Sequence, residues 1–279
     1  MTCLDNIVQL LFFSDNKRKL LFALNFKVGA STLIRAIANS SGRVPPGEVA
    51  DLVNVDLRTM GKLKHYGLFP TNIKTRSGLH ERFKSYFRFM FVRNPYHRLL
   101  SAFRDKFRIH EENEQEDVWF EKTVKIIKDR YRKSGSTAAL ARLADNLKET
   151  AVSFEEFLKF VLDDIKDVKH TNPHWKPLSL LSMPCYVNYD FIGKLETFAA
   201  DFQLLMSKIA VKDVPETKFH SSPGLSTAKV FQKYWSQIPK TLVQQIEKAF
   251  EKDFEMFQYD KDLSSYMGLQ LFGYPINLI

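Results

Sequence analysis

With 279 residues, 44% hydrophobic and 26% charged, the chain has the composition of a globular protein and the length to bury a core in a single α/β domain spanning 1–279. Its 41 Lys and Arg against 32 Asp and Glu leave a net charge of +9, which favours an anionic partner; no zinc-finger spacing, RNP pattern or KH loop accompanies that charge, so nucleic acid is not the expected one. Two cysteines, Cys3 and Cys185, exclude a disulfide scaffold, and no Cys/His cluster has metal spacing, so no metal is expected.

The first apolar run, Ile7 to Phe13, contains Gln9 and falls far short of the roughly 20 residues that cross a bilayer. It also lacks the basic start and small-residue cleavage site of a signal peptide. Leu20 to Leu24 reads as a short strand. The loop Asn25-Phe26-Lys27-Val28-Gly29-Ala30-Ser31-Thr32 follows, and Leu33-Ile34-Arg35-Ala36-Ile37 starts helical spacing. Gly29 permits a tight turn, and small Ala30 and Ser31 let backbone N–H groups approach an anion. Lys27 adds mobile positive charge, and Ser31 or Thr32 can cap the helix. The pattern G-x-x-x-x-G-K-[ST] is absent, so this is not a Walker A loop. Taken alone, the segment reads first as an ordinary strand-to-helix turn.

A second strand, Phe87 to Val92, runs into Arg93-Asn94-Pro95. Asn94 suits a helix N-cap and Pro95 the first helical position. On the helix that follows, Leu99, Leu100, Phe103 and Phe107 share one face; His97, Arg98, Ser101, Arg104 and Arg108 share the other. Residues 82–108 hold eight basic residues against the single acid Asp105, a concentration that an evenly solvated surface does not need. An arginine at the turn and a hydroxyl further along the helix make an anion site, with Arg98 assisting or simply solvated. Two such units in one chain suit a ligand with two separate phosphate groups.

Downstream, the acidic run Glu111 to Glu121 reads as solvated. Trp119 to Lys133 and Thr137 to Thr150 read as helices, and Ser153 with Glu156 forms a capping box for another. Lys169 to Met183 is irregular and rich in Pro, His and Trp, a natural place for substrate contact. Tyr186 to Ile192 is predicted as a strand, Thr197 to Ile209 as a helix, and Pro239 begins a long amphipathic helix through Phe257. Alternating strands and helices imply a mostly parallel central sheet flanked by helices, with a helical C-terminal part and ligands at the strands' C-terminal ends.

The loop 25–32 and the segment 93–101 together resemble the Golgi carbohydrate sulfotransferases, the group containing chondroitin 4-O-, dermatan 4-O- and HNK-1 sulfotransferases. The blocks Asn172-Pro173-His174-Trp175-Lys176-Pro177, Met183-Pro184-Cys185 and Tyr189 to Thr197, and the helical tail Phe231 to Tyr259, extend the likeness over residues 20–260. The family usually carries proline where Phe26 stands and often cysteine where Ser182 stands. The resemblance implies a P-loop-like sulfotransferase fold that uses PAPS (3′-phosphoadenylyl sulfate) as donor. It implies that Phe26, Lys27, Val28, Gly29, Ala30, Ser31 and Thr32 hold the 5′-phosphosulfate. Arg93, Asn94, Pro95, Arg98 and Ser101 would then hold the 3′-phosphate. It further implies an anionic glycan acceptor and a place in the Golgi lumen or membrane through an anchor; the chain itself shows no signal or transmembrane segment.

On this reading the protein moves a sulfuryl group from PAPS to a glycan hydroxyl, and Lys27 stabilises charge on the leaving phosphate. A general base must take the hydroxyl proton. His174 leads because it lies in the family-like block, although a loop-holding hydrogen bond is its plainer role; His80 and Glu196 are rivals. Trp175 either stacks on a sugar or joins the core. Two alternatives stay open: a cytosolic sulfotransferase of small molecules, and a non-catalytic polyanion binder of the same fold.

Overall fold

A computed structural model describes residues 12–45, 65–66, 68, 76–107, 118–131, 152–210 and 227–267. Cys3, Arg108, the acidic run before Val118, the expected helix 137–150 and the side chain of His80 lie outside the described residues. The chain divides into two compact units, one over Met1–Arg93 and Leu178–Ser221 with Ile276–Ile279, the other over Asn94–Pro177 and Ser222–Pro275.

Among the described residues the first unit holds one mostly parallel four-stranded sheet, in the order β1 (Phe12–Asp15), β2 (Leu20–Ala23), β3 (Phe87–Val92), β4 (Phe191–Lys194). β2, β3 and β4 are parallel, with Leu20 opposite Phe87 and Phe89 opposite Phe191. β1 pairs antiparallel with β2, Phe12 opposite Ala23. This edge strand is an addition to the sequence reading, which saw the run ending at Phe13 only as apolar. Its turn is set by Asp15, whose Oδ1 accepts the N–H of Lys17 at 3.1 Å and of Arg18 at 3.3 Å. Every residue of β1 and β2 is buried, as expected of a sheet covered on both faces. Phe22 stacks on Phe89 at 4.9 Å between ring centroids, a pair contributing about 0.5–1.5 kcal/mol beyond area burial.

Helix α1 (Ala30–Ser40) follows β2 and buries Leu33, Ile34 and Ile37. Helix α2 (Arg76–Ser85) precedes β3. The expected strand 186–192 is corrected. A one-turn helix, Pro184–Val187, stands between Met183 and Asn188, both left-handed with φ of 46° and 52°. Extended pairing is interrupted there, and β4 starts only at Phe191. A helical turn at Leu178–Leu181 likewise stands in the stretch expected to be irregular. At Gly193 of β4 a Cβ would lie 2.5 Å from Phe91 Cε1, so only glycine lets the two strands close over that ring.

The second unit is helical: α3 (Pro95–Lys106), α4 (Val118–Tyr131), α5 (Phe154–Asp164), α6 (Thr227–Trp235), α7 (Lys240–Ala249), α8 (Glu251–Met256) and α9 (Ser264–Met267). Tyr96, Phe103, Phe107, Phe157, Trp175, Phe231, Trp235, Phe250 and Phe254 belong to its core. The predicted capping box is present in full: Glu156 N–H donates to Ser153 Oγ at 3.2 Å, and Ser153 N–H to Glu156 Oε2 at 2.7 Å. The single long helix expected from Pro239 is two. Phe250, at φ −106° and ψ 14°, leaves helical geometry and is itself buried. No helix among the described residues is long and apolar enough to cross a membrane.

Candidate active site

In the first unit the loop after β2 is shaped by two left-handed residues, Lys27 at φ 66° and Gly29 at φ 83°. A Cβ on Gly29 would meet Leu195 Cδ1 at 3.1 Å and Phe198 Cε2 at 3.4 Å, so both backbone conformation and space select glycine. Lys27 has no such freedom, and its conformation costs about 1–2 kcal/mol. Its carbonyl accepts a hydrogen bond from Arg93 Nη1 at 3.2 Å, which joins the residue after β3 to the loop after β2. Gly29 is the N-cap of α1, with no side-chain capping bond and no acid in the first turn. Ser31 and Thr32 therefore do not cap the helix; they are its second and third residues. The first-turn N–H groups and the positive end of the helix dipole suit an anion. Val28 is buried and serves the core, while Phe26, Lys27, Ala30, Ser31 and Thr32 are half-buried.

The loop is anchored from below by groups that sequence reasoning missed. Asn25 Nδ2 donates to the Phe91 carbonyl at 3.0 Å. Ser182 Oγ donates to Asn25 Oδ1 at 2.6 Å, and Tyr189 donates its hydroxyl to the Ser182 carbonyl at 2.9 Å. Asn25 and Ser182 are almost fully buried. The available signal was a lone amide directly after an apolar strand, since such a group is buried only when bonded. Burial pushes the Tyr189 hydroxyl well above its ordinary pKa, so it stays a neutral donor. Next to it Asp190 takes Arg88 in a bidentate pair, with Nε to Oδ2 at 2.8 Å and Nη2 to Oδ1 at 2.9 Å. The hydrogen bond from Arg88 holds that carboxyl below its ordinary value. Glu196, the rival base, is exposed.

In the second unit Asn94 caps α3 as expected, its Oδ1 accepting from Tyr96 N–H at 2.9 Å and His97 N–H at 3.3 Å, with Pro95 at the first position. That N-terminus already has a side-chain acceptor, unlike α1, so an anion at this segment would have to be held by side chains. Ser101 is half-buried on the same face as His97 and Arg104. Arg98 is a correction: it is not solvated but 1% exposed. Its Nη1 donates to the Lys176 carbonyl at 2.8 Å and its Nη2 to the Pro173 carbonyl at 2.9 Å. These bonds hold the loop that carries His174. The sugar-stacking alternative for Trp175 is overturned as well, because the ring is fully buried and its Nε1–H donates to Asp164 Oδ2 at 2.7 Å. His174 is half-buried and contacts Asn172.

Known proteins show what the chain is similar to. The chain is 30% identical over 255 residues to human carbohydrate sulfotransferase 8, covering 89% of this chain and 55% of that protein. It is 34% identical over 207 residues to carbohydrate sulfotransferase 12 of Xenopus laevis, covering 71% of this chain and 44% of that protein. With mouse carbohydrate sulfotransferase 11 the figures are 27% over 248 residues, 88% and 66%. The chain thus spans about half the length of the first curated relatives it matches. No solved structure matches it significantly. The profile described as "Sulfotransferase family" covers residues 11–260, which takes in the sheet, the loop after β2 and helices α3 to α8, and the chain belongs to that family.

Proposed function

We propose that the protein transfers a sulfuryl group from PAPS to a hydroxyl of a glycan of the chondroitin or dermatan type, within the secretory pathway where such glycans are built. The observation that carries this reading is the loop after β2: an uncapped 11-residue helix preceded by left-handed Lys27 and Gly29, in a chain of the sulfotransferase family. The carbohydrate acceptor is taken from the printed names of the relatives. The net charge of +9 agrees with an anionic donor and an anionic glycan.

PAPS would supply an activated sulfuryl group on its 5′-phosphate. The residues present fit it. The N–H groups of Val28 to Thr32 hold the 5′-phosphate end beside Phe26, and the Lys27 ammonium balances the charge that grows on the leaving phosphate oxygen. Arg93 and Ser101 grip the 3′-phosphate, a role supported by the resemblance of the 93–101 segment. Asn94 and Pro95 start the helix that carries Ser101, and Arg98 serves through the loop it holds rather than through the donor. His174 takes the proton from the acceptor hydroxyl. No metal enters this scheme.

The deciding experiment is transfer of radiolabelled sulfate from PAPS to desulfated chondroitin, dermatan and other glycans, with wild type beside Lys27→Ala. Labelling of one polymer that depends on Lys27 establishes the activity and the acceptor class. Absence of both labelling and PAP binding would instead leave a polyanion-binding protein of this fold.

A further inference from the structure

His174 lies in the turn 172–175, and one oxygen meets it twice. Asn172 Oδ1 accepts the His174 backbone N–H at 3.0 Å and lies 2.9 Å from His174 Nδ1. A backbone N–H can only donate. The Asn172 atom facing it is therefore the carbonyl oxygen, not the amide nitrogen, which removes the usual ambiguity of an amide side chain. That oxygen can only accept, and it has two lone pairs. Nδ1 must then carry a proton, and in the neutral ring the lone pair lies on Nε2.

Asn172 is itself held in place. Its backbone N–H donates to Asp164 Oδ2 at 3.1 Å, the oxygen that also accepts Trp175 Nε1–H at 2.7 Å. The single hydroxyl proton of Thr171 is shared between the carbonyls of Asp167, 2.8 Å from Oγ1, and Asp164, at 3.1 Å. Buried Arg98 holds the carbonyls of Pro173 and Lys176, one on each side of His174. A turn tied at so many points offers the histidine few alternative orientations.

We propose that Asn172 is a positioning residue that fixes His174 as its Nδ1–H tautomer, so that Nε2 receives the proton of the acceptor sugar hydroxyl. This rests on the reading of His174 as the general base. In the step, the acceptor O–H bond breaks as its oxygen forms a bond to sulfur. The bond from sulfur to the donor's 5′-phosphate oxygen breaks, and its electron pair leaves with PAP. The proton goes to Nε2, giving an imidazolium whose Nδ1–H stays on Asn172.

The test is side-chain nitrogen NMR of the full chain labelled with ¹⁵N-histidine, the His174 signals being assigned with His174→Gln. A protonated Nδ1 and an unprotonated Nε2 are expected for the neutral ring; the reverse pattern overturns the proposal. Asn172→Ala is expected to lose that preference and to lower kcat about tenfold or more, with the KM for PAPS little changed. Asn172→Asp keeps an acceptor oxygen at the same place and is expected to restore the Nδ1–H signature. An unaltered tautomer in Asn172→Ala overturns the assignment. Wild-type turnover by His174→Gln would overturn the base role while leaving the tautomer standing on the spectrum, so the two failures are distinguishable.

Discussion

Ser182 Oγ donates a 2.6 Å hydrogen bond to Asn25 Oδ1, joining residues 157 positions apart beneath the loop that carries Lys27. Both are buried, and Asn25 passes the connection on to the Phe91 carbonyl of β3. Ser182→Ala leaves one buried acceptor lone pair unmet and is expected to cost about 1–3 kcal/mol. Asn25→Leu removes both bonds and strands the Ser182 hydroxyl and the Phe91 carbonyl, so its cost is larger. Thermal unfolding measures the stability loss. Calorimetric titration with PAP should show weaker binding in both variants, and unchanged PAP affinity in Asn25→Leu would mean that the network does not set the loop.

The Lys27 backbone predicts effects of opposite sign. Lys27→Gly removes the left-handed strain at φ 66° and is expected to raise stability by about 1 kcal/mol, yet to abolish most turnover with the ammonium gone. Gly29→Ala should do the reverse of a stabilising Gly→Ala change, because φ is 83° and the added Cβ meets Leu195 Cδ1 at 3.1 Å. A melting-temperature rise in Gly29→Ala would contradict this geometry.

Arg93 and Arg98 lie five positions apart in a basic segment, but they should fail differently. Arg98→Met loses two charged hydrogen bonds to carbonyls in a buried site and is expected to destabilise by about 2–3 kcal/mol or more, with turnover falling before donor affinity does. Arg93→Ala should weaken PAP binding with a smaller effect on unfolding. The pair of variants, compared by PAP titration and denaturant unfolding, separates a clamp from a ligand-binding group.

Acid should weaken the first unit through Asp190. The hydrogen bond from Arg88 depresses this carboxyl below its ordinary value of 3.8. A depressed folded-state value means that the contribution is fully present above the unfolded-state value and is lost as pH falls through the folded one. Asp190→Asn should therefore lower stability at neutral pH and flatten its decline below about pH 4. Denaturant unfolding at several pH values measures both.

Much of this was legible in the sequence because local patterns carried it. Phe87 to Val92 read as a buried strand, Asn94-Pro95 announced a helix start, and Ser153 with Glu156 specified their own bonds. What was not legible depended on distant partners. Arg98 sits on the polar side of its helical wheel, yet two carbonyls 75 and 78 residues away make its burial affordable. Tyr186 to Ile192 has strand composition, but left-handed Met183 and Asn188 break its extension. Asn25, Ser182 and Asn172 acquire meaning only from what they bond. Cys185, in the block of family likeness, stands as an exposed free thiol.

The bare start of α1 has a thermodynamic consequence. A helix that lacks its own terminal acceptor is completed by an anion that docks there, so on the proposed function donor and by-product would act as part of the fold. By linkage, nucleotide at 100 times its dissociation constant adds about 2.7 kcal/mol of stability. The first unit should then be hardest to unfold, and most resistant to proteolysis, while it is at work, and should loosen as the nucleotide supply falls.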